Sequence, residues 1–247
     1  MKHSQLSSCL LLAFSLFCCS SQAQSASPEP KAPAAEQAAS NVHTTDDVTV
    51  LRETQQGIDV NDYTGLVWWI PFEYWIQSAQ KNGASPEKSR EQLKALREYT
   101  VVGVFAGKVS SLGSINYVVP ADLQKSTFVR DSEGQDYAAV TDLSPDAKAL
   151  ADVIKPALSN AMGRAGENFA ILFFPATKKS GKRIADEKSK GSFSVVLKNA
   201  VEEKETVFLW RTPLTSFSPP RYCPVGKERV HADWDYCPRH GAKLDQP

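Results

Sequence analysis

The chain has 247 residues, in which 28 lysines and arginines are balanced by 28 aspartates and glutamates. A formal net charge of zero excludes the strongly basic surface on which nucleic-acid binding usually depends, so we expect no nucleic-acid partner. About 200 residues follow a low-complexity N-terminal part, which is enough for one domain with a sizeable core and a small appendage.

The first residues have the pattern of an export signal. A short basic start is followed by an apolar run over residues 9–17 and by the small residues Ser21 and Ala23, which occupy positions preferred before a cleavage point. The run is shorter than the about 20 apolar residues that span a bilayer. We therefore predict that residues 1–23 are an export signal and that the mature protein is periplasmic or attached to the membrane.

Residues 16–21 also resemble a bacterial lipoprotein signal, in which the cysteine that follows the cut is acylated. The resemblance implies a lipid on Cys18 or Cys19, and this lipid would be the protein's only contact with the membrane. Phe17 and Cys18 depart from the smaller, non-thiol residues that this family usually has. Cleavage after Ala23 and lipid anchoring therefore both remain open.

The composition changes twice along the rest of the chain. Residues 24–47 are rich in Ala, Ser, Pro, Glu and Gln and contain few large apolar side chains, which predicts a disordered linker. Residues 48–215 combine apolar runs with turn signals and are predicted to form the globular domain. Residues 216–247 contain two Cys-Pro pairs and form a separate tail.

In the first part of the domain, β-rich runs precede two helical patterns. Proline is tolerated at the first position of a helix, and apolar residues follow Pro71 at helical spacing. We predict strands over residues 48–51, 57–60 and 65–70, a helix that opens at Pro71 and stops at Gly83, and a helix over residues 87–99 that is capped by Ser85.

The second part is richer in strands. We predict strands over residues 100–105 and 114–119, the latter closed by Pro120, and a hairpin of residues 127–130 and 136–140 around the turn at residues 131–134. A helix capped by Ser144 runs toward Met162, with Pro156 kinking or splitting it. Further strands are predicted over residues 168–174, 192–197 and 206–210.

Strands that follow one another without regular strand–helix alternation favour antiparallel sheets. We therefore predict an α+β fold, an antiparallel β-sandwich-like domain with added helices and a small cysteine-pinned C-terminal hairpin. Residues 127–140 resemble small immunoglobulin-like domains of exported bacterial proteins, which also implies a sandwich. The helix predicted after them departs from that pattern.

The tail contains Cys223 and Cys237, which are the only cysteines beyond the predicted signal. Two cysteines close in sequence in an exported chain predict a disulfide. Closing a loop of about 15 residues contributes about 3 kcal/mol in the chain-entropy model. We therefore predict a disulfide-pinned hairpin that binds no metal or other cofactor.

The alternative for the tail is a zinc site. Residues 236–244 resemble the second knuckle of a zinc ribbon, usually Cys-Pro-x-Cys-Gly, with His240 in place of the second cysteine. In the first knuckle Gly226 stands where the second ligand would be. The resemblance therefore implies zinc ligands only at Cys223, Cys237 and His240, and His231 would have to supply a fourth from a position that the family does not use.

Five aromatic residues lie between Trp68 and Trp75, a density that suits a sugar-stacking platform or a membrane interface. The helical spacing of Phe72, Trp75 and Ile76 instead predicts a buried corner of the core. Trp68 and Trp69 point to opposite sides of an extended strand, which leaves one of them as an exposed candidate binding residue.

A basic loop covers residues 178–190 and contains Lys178, Lys179, Lys182, Arg183, Lys188 and Lys190. Such a loop could contact phospholipid or a cell-wall polymer. Asp186 and Glu187 interrupt the positive charge, so a solvated loop is favoured.

No sequence motif predicts catalysis. The chain lacks a Gly-x-Ser-x-Gly, a phosphate-binding loop and a His-Glu-x-x-His, and we identify no catalytic residue. We therefore predict a non-enzymatic binding or interaction module of the cell envelope, whose partner is an envelope protein or a glycan. The alternative is a carboxylate-based hydrolase of cell-wall or glycan material, with its acids near the tryptophans.

Overall fold

The computed structural model describes residues 47–60, 62–81, 83–198 and 204–245. The predicted export signal, residues 1–23, and the predicted linker, residues 24–47, lie outside these ranges except for Asp47. Among the described residues, no helix combines the length and the apolar character needed to cross a membrane.

The described residues form eleven strands and five α-helices. The strands are β1 Gln55–Val60, β2 Tyr63–Ile70, β3 Tyr99–Val109, β4 Ile115–Tyr117, β5 Thr127–Asp131, β6 Asp136–Ala138, β7 Ala170–Pro175, β8 Gly191–Lys198, β9 Glu205–Thr212, β10 Arg221–Tyr222 and β11 Arg229–Val230. The helices are α1 Asp47–Thr54, α2 Phe72–Lys81, α3 Pro86–Gln92, α4 Pro120–Ser126 and α5 Pro145–Ala161.

Two antiparallel sheets and a layer of helices build the domain. The central sheet has the order β1-β2-β3, and β3 pairs along its other edge with β7 and β4. The outer sheet has the order β6-β5-β8-β9. One core lies between the sheets and a second lies between the central sheet and the helices. The predicted α+β class with an antiparallel sandwich and added helices is confirmed.

Aromatic side chains fill the core between the two sheets. The ring of Trp69 on β2 meets the ring of Phe193 on β8 edge to face, with centroids 4.7 Å apart. Phe193 in turn stacks on Trp210 of β9 at 5.6 Å. Trp69 is only 2% exposed, so it is a core residue that joins the sheets.

The opposite face of the central sheet is covered by α2 and α5. Trp68 points to this side, is 4% exposed, and packs in the same core as Trp75 and Ile154. Its indole N–H donates to the hydroxyl of Thr54 at 3.2 Å. The prediction of a buried aromatic corner is therefore correct, and the expectation that Trp68 or Trp69 is exposed for binding is wrong, because both faces of the strand are covered.

Local signals place the ends of α2 and α5 and the start of α3 correctly. Ser85 and Ser144 cap α3 and α5, and Gly83 has a positive φ of 83° after α2. The predicted second helix is shorter than expected, because α3 ends at Gln92 and a 3-10 turn, Lys94–Glu98, follows it. Helix α5 continues through Pro156 and is not split there.

Two predicted elements differ in the structure. Residues 48–51 belong to helix α1 and not to a strand. The carboxylate of Glu53 in this helix accepts hydrogen bonds from the backbone N–H groups of Thr215 and Ser216, at 3.0 and 2.9 Å, so tertiary contacts override the local β preference. Strand β4 ends at Tyr117, before the predicted end at residue 119, and Pro120 opens helix α4, which the patterns do not predict.

An ion-pair network on β5, β6 and β8 should make stability depend on acid pH. The guanidinium of Arg130, and then the ammonium of Lys198, hold the pKa of the Asp136 carboxyl at about 2, below its ordinary value of 3.8. A depressed folded pKa gives stability that is complete above pH 3.8 and is lost as the pH falls toward 2. Asp136→Asn should therefore lower the free energy of unfolding by about 1–2 kcal/mol at neutral pH, and by little near the folded pKa.

Urea unfolding at several pH values measures this effect. The matched control is Asp122→Asn, because Asp122 is exposed and, among the described residues, forms an ion pair only with Lys125, at 3.7 Å. The control should change stability by less than about 0.5 kcal/mol at every pH. If the difference in free energy of unfolding between Asp136→Asn and the parent protein does not become smaller at acid pH, the lowered pKa assigned to Asp136 is contradicted.

Candidate metal centre

The tail folds into a small unit, the C-terminal module, which comprises residues 221–245. Its core contains only four buried side chains, Cys223, Val230, Cys237 and Leu244. The guanidinium of Arg221 donates to the backbone carbonyls of Ala232, Trp234 and Asp245 and so ties the loops of the module together. A core this small needs a further source of stability.

The two cysteines begin loops of the same conformation. In each loop the cysteine N–H donates to the carbonyl five residues later, and the cysteine carbonyl accepts from the N–H four residues later, with all four distances between 2.8 and 2.9 Å. Lys227 and Gly241, four residues after Cys223 and Cys237, both have positive φ, at 58° and 62°. The loops therefore repeat one backbone conformation and bring the two sulfurs toward each other.

The loop around Cys223 also directs backbone N–H groups at its sulfur. The N–H of Gly226 lies 3.5 Å from Sγ of Cys223. Burial alone would raise the pKa of the Cys223 thiol, but the N–H groups of Gly226 and Val225, with Cys237 and His240, bring it below its ordinary value. The loop therefore favours a thiolate, the form of cysteine that binds metals, at Cys223, whereas burial and the neighbouring Cys223 raise the pKa of the Cys237 thiol.

Two further side chains complete a cluster of four potential ligands. Nδ1 of His240 lies 3.4 Å from Sγ of Cys223 and 3.6 Å from Sγ of Cys237. Oε1 of Glu228 lies 3.6 Å from Sγ of Cys237 and 3.1 Å from Nδ1 of His240. All four atoms lie within 4.8 Å of one another. The four atoms are therefore close enough together to bind a single metal ion.

These spacings match the edges of a tetrahedral zinc site. Bonds of about 2.3 Å to sulfur and about 2.0–2.1 Å to nitrogen and oxygen place sulfur and nitrogen about 3.5 Å apart, sulfur and oxygen about 3.6 Å, and nitrogen and oxygen about 3.4 Å. The observed sulfur–nitrogen distances are 3.4 and 3.6 Å, the sulfur–oxygen distance is 3.6 Å, and the nitrogen–oxygen distance is 3.1 Å. Among these four distances the largest mismatch, at the nitrogen–oxygen edge, is a few tenths of an ångström.

Gly226 leaves the space that this arrangement needs. A Cβ atom at Gly226 would lie 2.0 Å from Oε2 of Glu228 and 2.5 Å from Cε1 of His240. Both distances are far below a van der Waals contact, so either side chain would have to move out of the cluster. The residue that stands where a zinc ribbon would carry its second ligand is therefore a glycine that makes room for Glu228.

The structure changes the ligand set expected from the sequence. It brings together Cys223, Cys237 and His240 but leaves His231 outside, where its Nδ1 lies 3.5 Å from the hydroxyl of Thr215. Glu228 takes the fourth position. Both cysteines are free in the structure, and the disulfide between them stays a prediction.

The acids near the tryptophans have structural roles. Oε1 of Glu187 accepts the N–H of Glu73 at 3.3 Å, which caps the first turn of α2. The carboxylate of Glu73 binds Arg90 in two hydrogen bonds of 2.7 and 2.9 Å. Burial raises the pKa of Glu187, as expected for a carboxyl that is shielded from water. Both acids thus hold α2 in place.

Comparison of the chain with protein-family models, with characterised proteins and with solved structures found no match.

Proposed function

We propose that this chain is a non-enzymatic binding module of the cell envelope whose C-terminal module folds around a structural zinc ion. Cys223, Glu228, Cys237 and His240 are the ligands. The observation that carries the proposal is the agreement between four of their mutual distances and the corresponding edges of a zinc tetrahedron. The exported location rests on the N-terminal sequence pattern.

The ligand types favour zinc and a structural role. Two thiolates, an imidazole and a carboxylate are ligands that zinc commonly takes in proteins, whereas magnesium and calcium prefer oxygen alone. Four protein ligands close the coordination shell and leave no position for a substrate or a reactive water. A closed shell of this kind stabilises a fold and does not perform catalysis.

The surroundings of the tryptophans support a binding role over the hydrolase alternative. A glycan hydrolase at this place would need exposed aromatic rings beside a pair of acids. Trp68 and Trp69 are buried, and the neighbouring Glu73 and Glu187 are engaged in an ion pair and a helix cap. The partner remains an envelope protein or a glycan.

Metal analysis together with non-reducing mass spectrometry tests the metal centre. We expect about one zinc ion per chain, and after chelation a mass that corresponds to two free thiols. The matched pair of variants is His240→Ala, which should lose zinc, and His231→Ala, which should keep it. A mass two hydrogens lighter without bound zinc would instead establish the disulfide.

A further inference from the structure

A cleft separates the C-terminal module from the end of the outer sheet where β8 begins and β9 ends. Its inner part has a volume of about 110 Å³ and borders the basic loop of residues 178–190. Its outer part has a volume of about 620 Å³ and borders Trp234 and Tyr236 of the module. The two parts are adjacent, because both are lined by Gly191 and Thr212.

The inner part is positively charged. Lys178, Lys182, Arg183 and Lys190 line it together with a single carboxylate, that of Asp186. Asp186 already accepts hydrogen bonds from the backbone and hydroxyl of Ser189 and from the backbone of Lys188. The volume is enough for a few water molecules, or for one phosphate, sulfate or carboxylate group.

Three of the cations at the cleft form no ion pair with a described residue, and one of them, Arg183, donates to the backbone carbonyl of Arg97 at 3.0 Å. Lys178 pairs with Asp131 and Glu133, and Lys190 pairs with Asp235. Among the residues that the structure describes, Lys182 of the inner part and Arg211 of the outer part have no carboxylate within ion-pair distance. Their charges are therefore available to an anion, which would gain charge-assisted hydrogen bonds.

The side chain of Thr212 lies between the two parts of the cleft. Thr212 is only 4% exposed, and within the described residues its side chain makes no hydrogen bond. It lines both parts of the cleft, opposite Gly191, where a Cβ atom would lie 3.5 Å from the Thr212 hydroxyl. The Thr212 hydroxyl is therefore one of the polar groups that the wall of the cleft offers to a ligand.

The outer part offers an aromatic surface. Tyr236 is 59% exposed and lies beside Trp234, whose ring packs against His231 with centroids 4.7 Å apart. An exposed ring in a cleft of this size suits the apolar face of a sugar, and the volume falls in the range of small-molecule sites. The cleft therefore combines a small cationic part with a larger aromatic part.

We propose that this cleft binds an anionic saccharide, with the charged substituent beside Lys182 in the inner part and the sugar against Tyr236 and Arg211 in the outer part. The inference rests on the proposed binding function and names the chemical class of its ligand. The wall that carries Tyr236 adjoins the metal ligand Cys237, so the metal centre also shapes the cleft.

Calorimetric titration of the intact, zinc-loaded protein tests the proposal. The probes are glucose 6-phosphate, glucose 6-sulfate and glucuronate, with glucose and inorganic phosphate for comparison. We expect at least one of the three charged sugars to bind about tenfold more tightly than glucose and than inorganic phosphate. The ranking of the three identifies which anionic group the cleft prefers.

Variants separate the contributions of charge and ring. Lys182→Gln and Arg211→Gln should each weaken the preferred sugar about tenfold, because each removes one charge-assisted contact. The control is Lys179→Gln, since Lys179 is exposed in the same loop but does not line the cleft. Tyr236→Ala should reduce the affinity for the preferred sugar to that of its isolated anionic group.

Equal affinity for glucose and the charged sugars, no binding at millimolar concentration, or binding that neither charge variant weakens would overturn the proposal. Inorganic phosphate binding as tightly as the sugars would overturn the role of the ring. Zinc content is measured on the same samples. Failed binding with zinc present defeats only this inference, whereas failure of the metal centre appears as missing zinc.

Discussion

Replacing Cys223 by serine should abolish zinc binding and unfold the C-terminal module while the two sheets stay folded. The module has only four buried side chains in its core, so it depends on the metal for its fold. Structural zinc in modules of this size contributes about 10–16 kcal/mol of apparent binding free energy at neutral pH. The sheets have a separate aromatic core and do not depend on the module for it.

Hydrogen exchange followed by mass spectrometry distinguishes the two regions. In Cys223→Ser, the amides of residues 221–245 should exchange at the rate of an unfolded chain, and those of β3 and β8 should keep their protection. His231→Ala is the control, because His231 is exposed and lies outside the ligand cluster. Retained protection of residues 221–245 in the serine variant would show that the metal is not what folds the module.

Replacing Asp131 by alanine should lower the free energy of unfolding by about 3 kcal/mol, because it breaks a buried ion pair. The side chains of Asp131 and Lys178 are 1% and 7% exposed, and Nζ of Lys178 lies 3.2 Å from Oδ2 of Asp131. Oδ1 of the same carboxylate accepts the N–H groups of Glu133 and Gln135 in the hairpin turn, at 2.9 and 3.0 Å. The substitution therefore also removes the acceptor of two hydrogen bonds in the turn.

Chemical unfolding of three variants separates these contributions. Asp131→Asn keeps an acceptor for the turn but loses the charge, so its loss of stability measures the ion pair. Asp131→Ala combined with Lys178→Met removes both charges and should be less destabilising than Asp131→Ala alone, since no ammonium is left buried with a single partner. Additive effects of the two substitutions would contradict a coupled pair.

Much of the fold was accessible from the sequence because its signals are local. The caps at Ser85 and Ser144, the turn at Gly83 and the hairpin around Asp131 depend on residues within a few positions of each other. The strand prediction over residues 48–51 failed for the opposite reason. That segment is fixed as a helix by contacts with residues more than 150 positions away.

Only part of the metal centre could be predicted from the sequence. Cys223, Cys237 and His240 stand in recognisable knuckles, but Glu228 follows Cys223 by five residues, a spacing that no common ligand motif contains. Exposed acids are frequent in any tail, so nothing in the composition distinguishes Glu228. The one available signal was Gly226, whose missing side chain admits a neighbouring ligand. Recognising it requires the loop conformation, which the sequence alone did not provide.

The central position of β3 determines which motions of the protein can expose its backbone amides. This strand pairs with β2 over residues 101–108 on one side and with β7 and β4 on the other, and most of its residues are buried. No partial opening can release its central amides without separating both neighbouring strands and both cores. Rare excursions that expose them therefore amount to complete unfolding of the domain, and Val102 and Val104 should report its global stability.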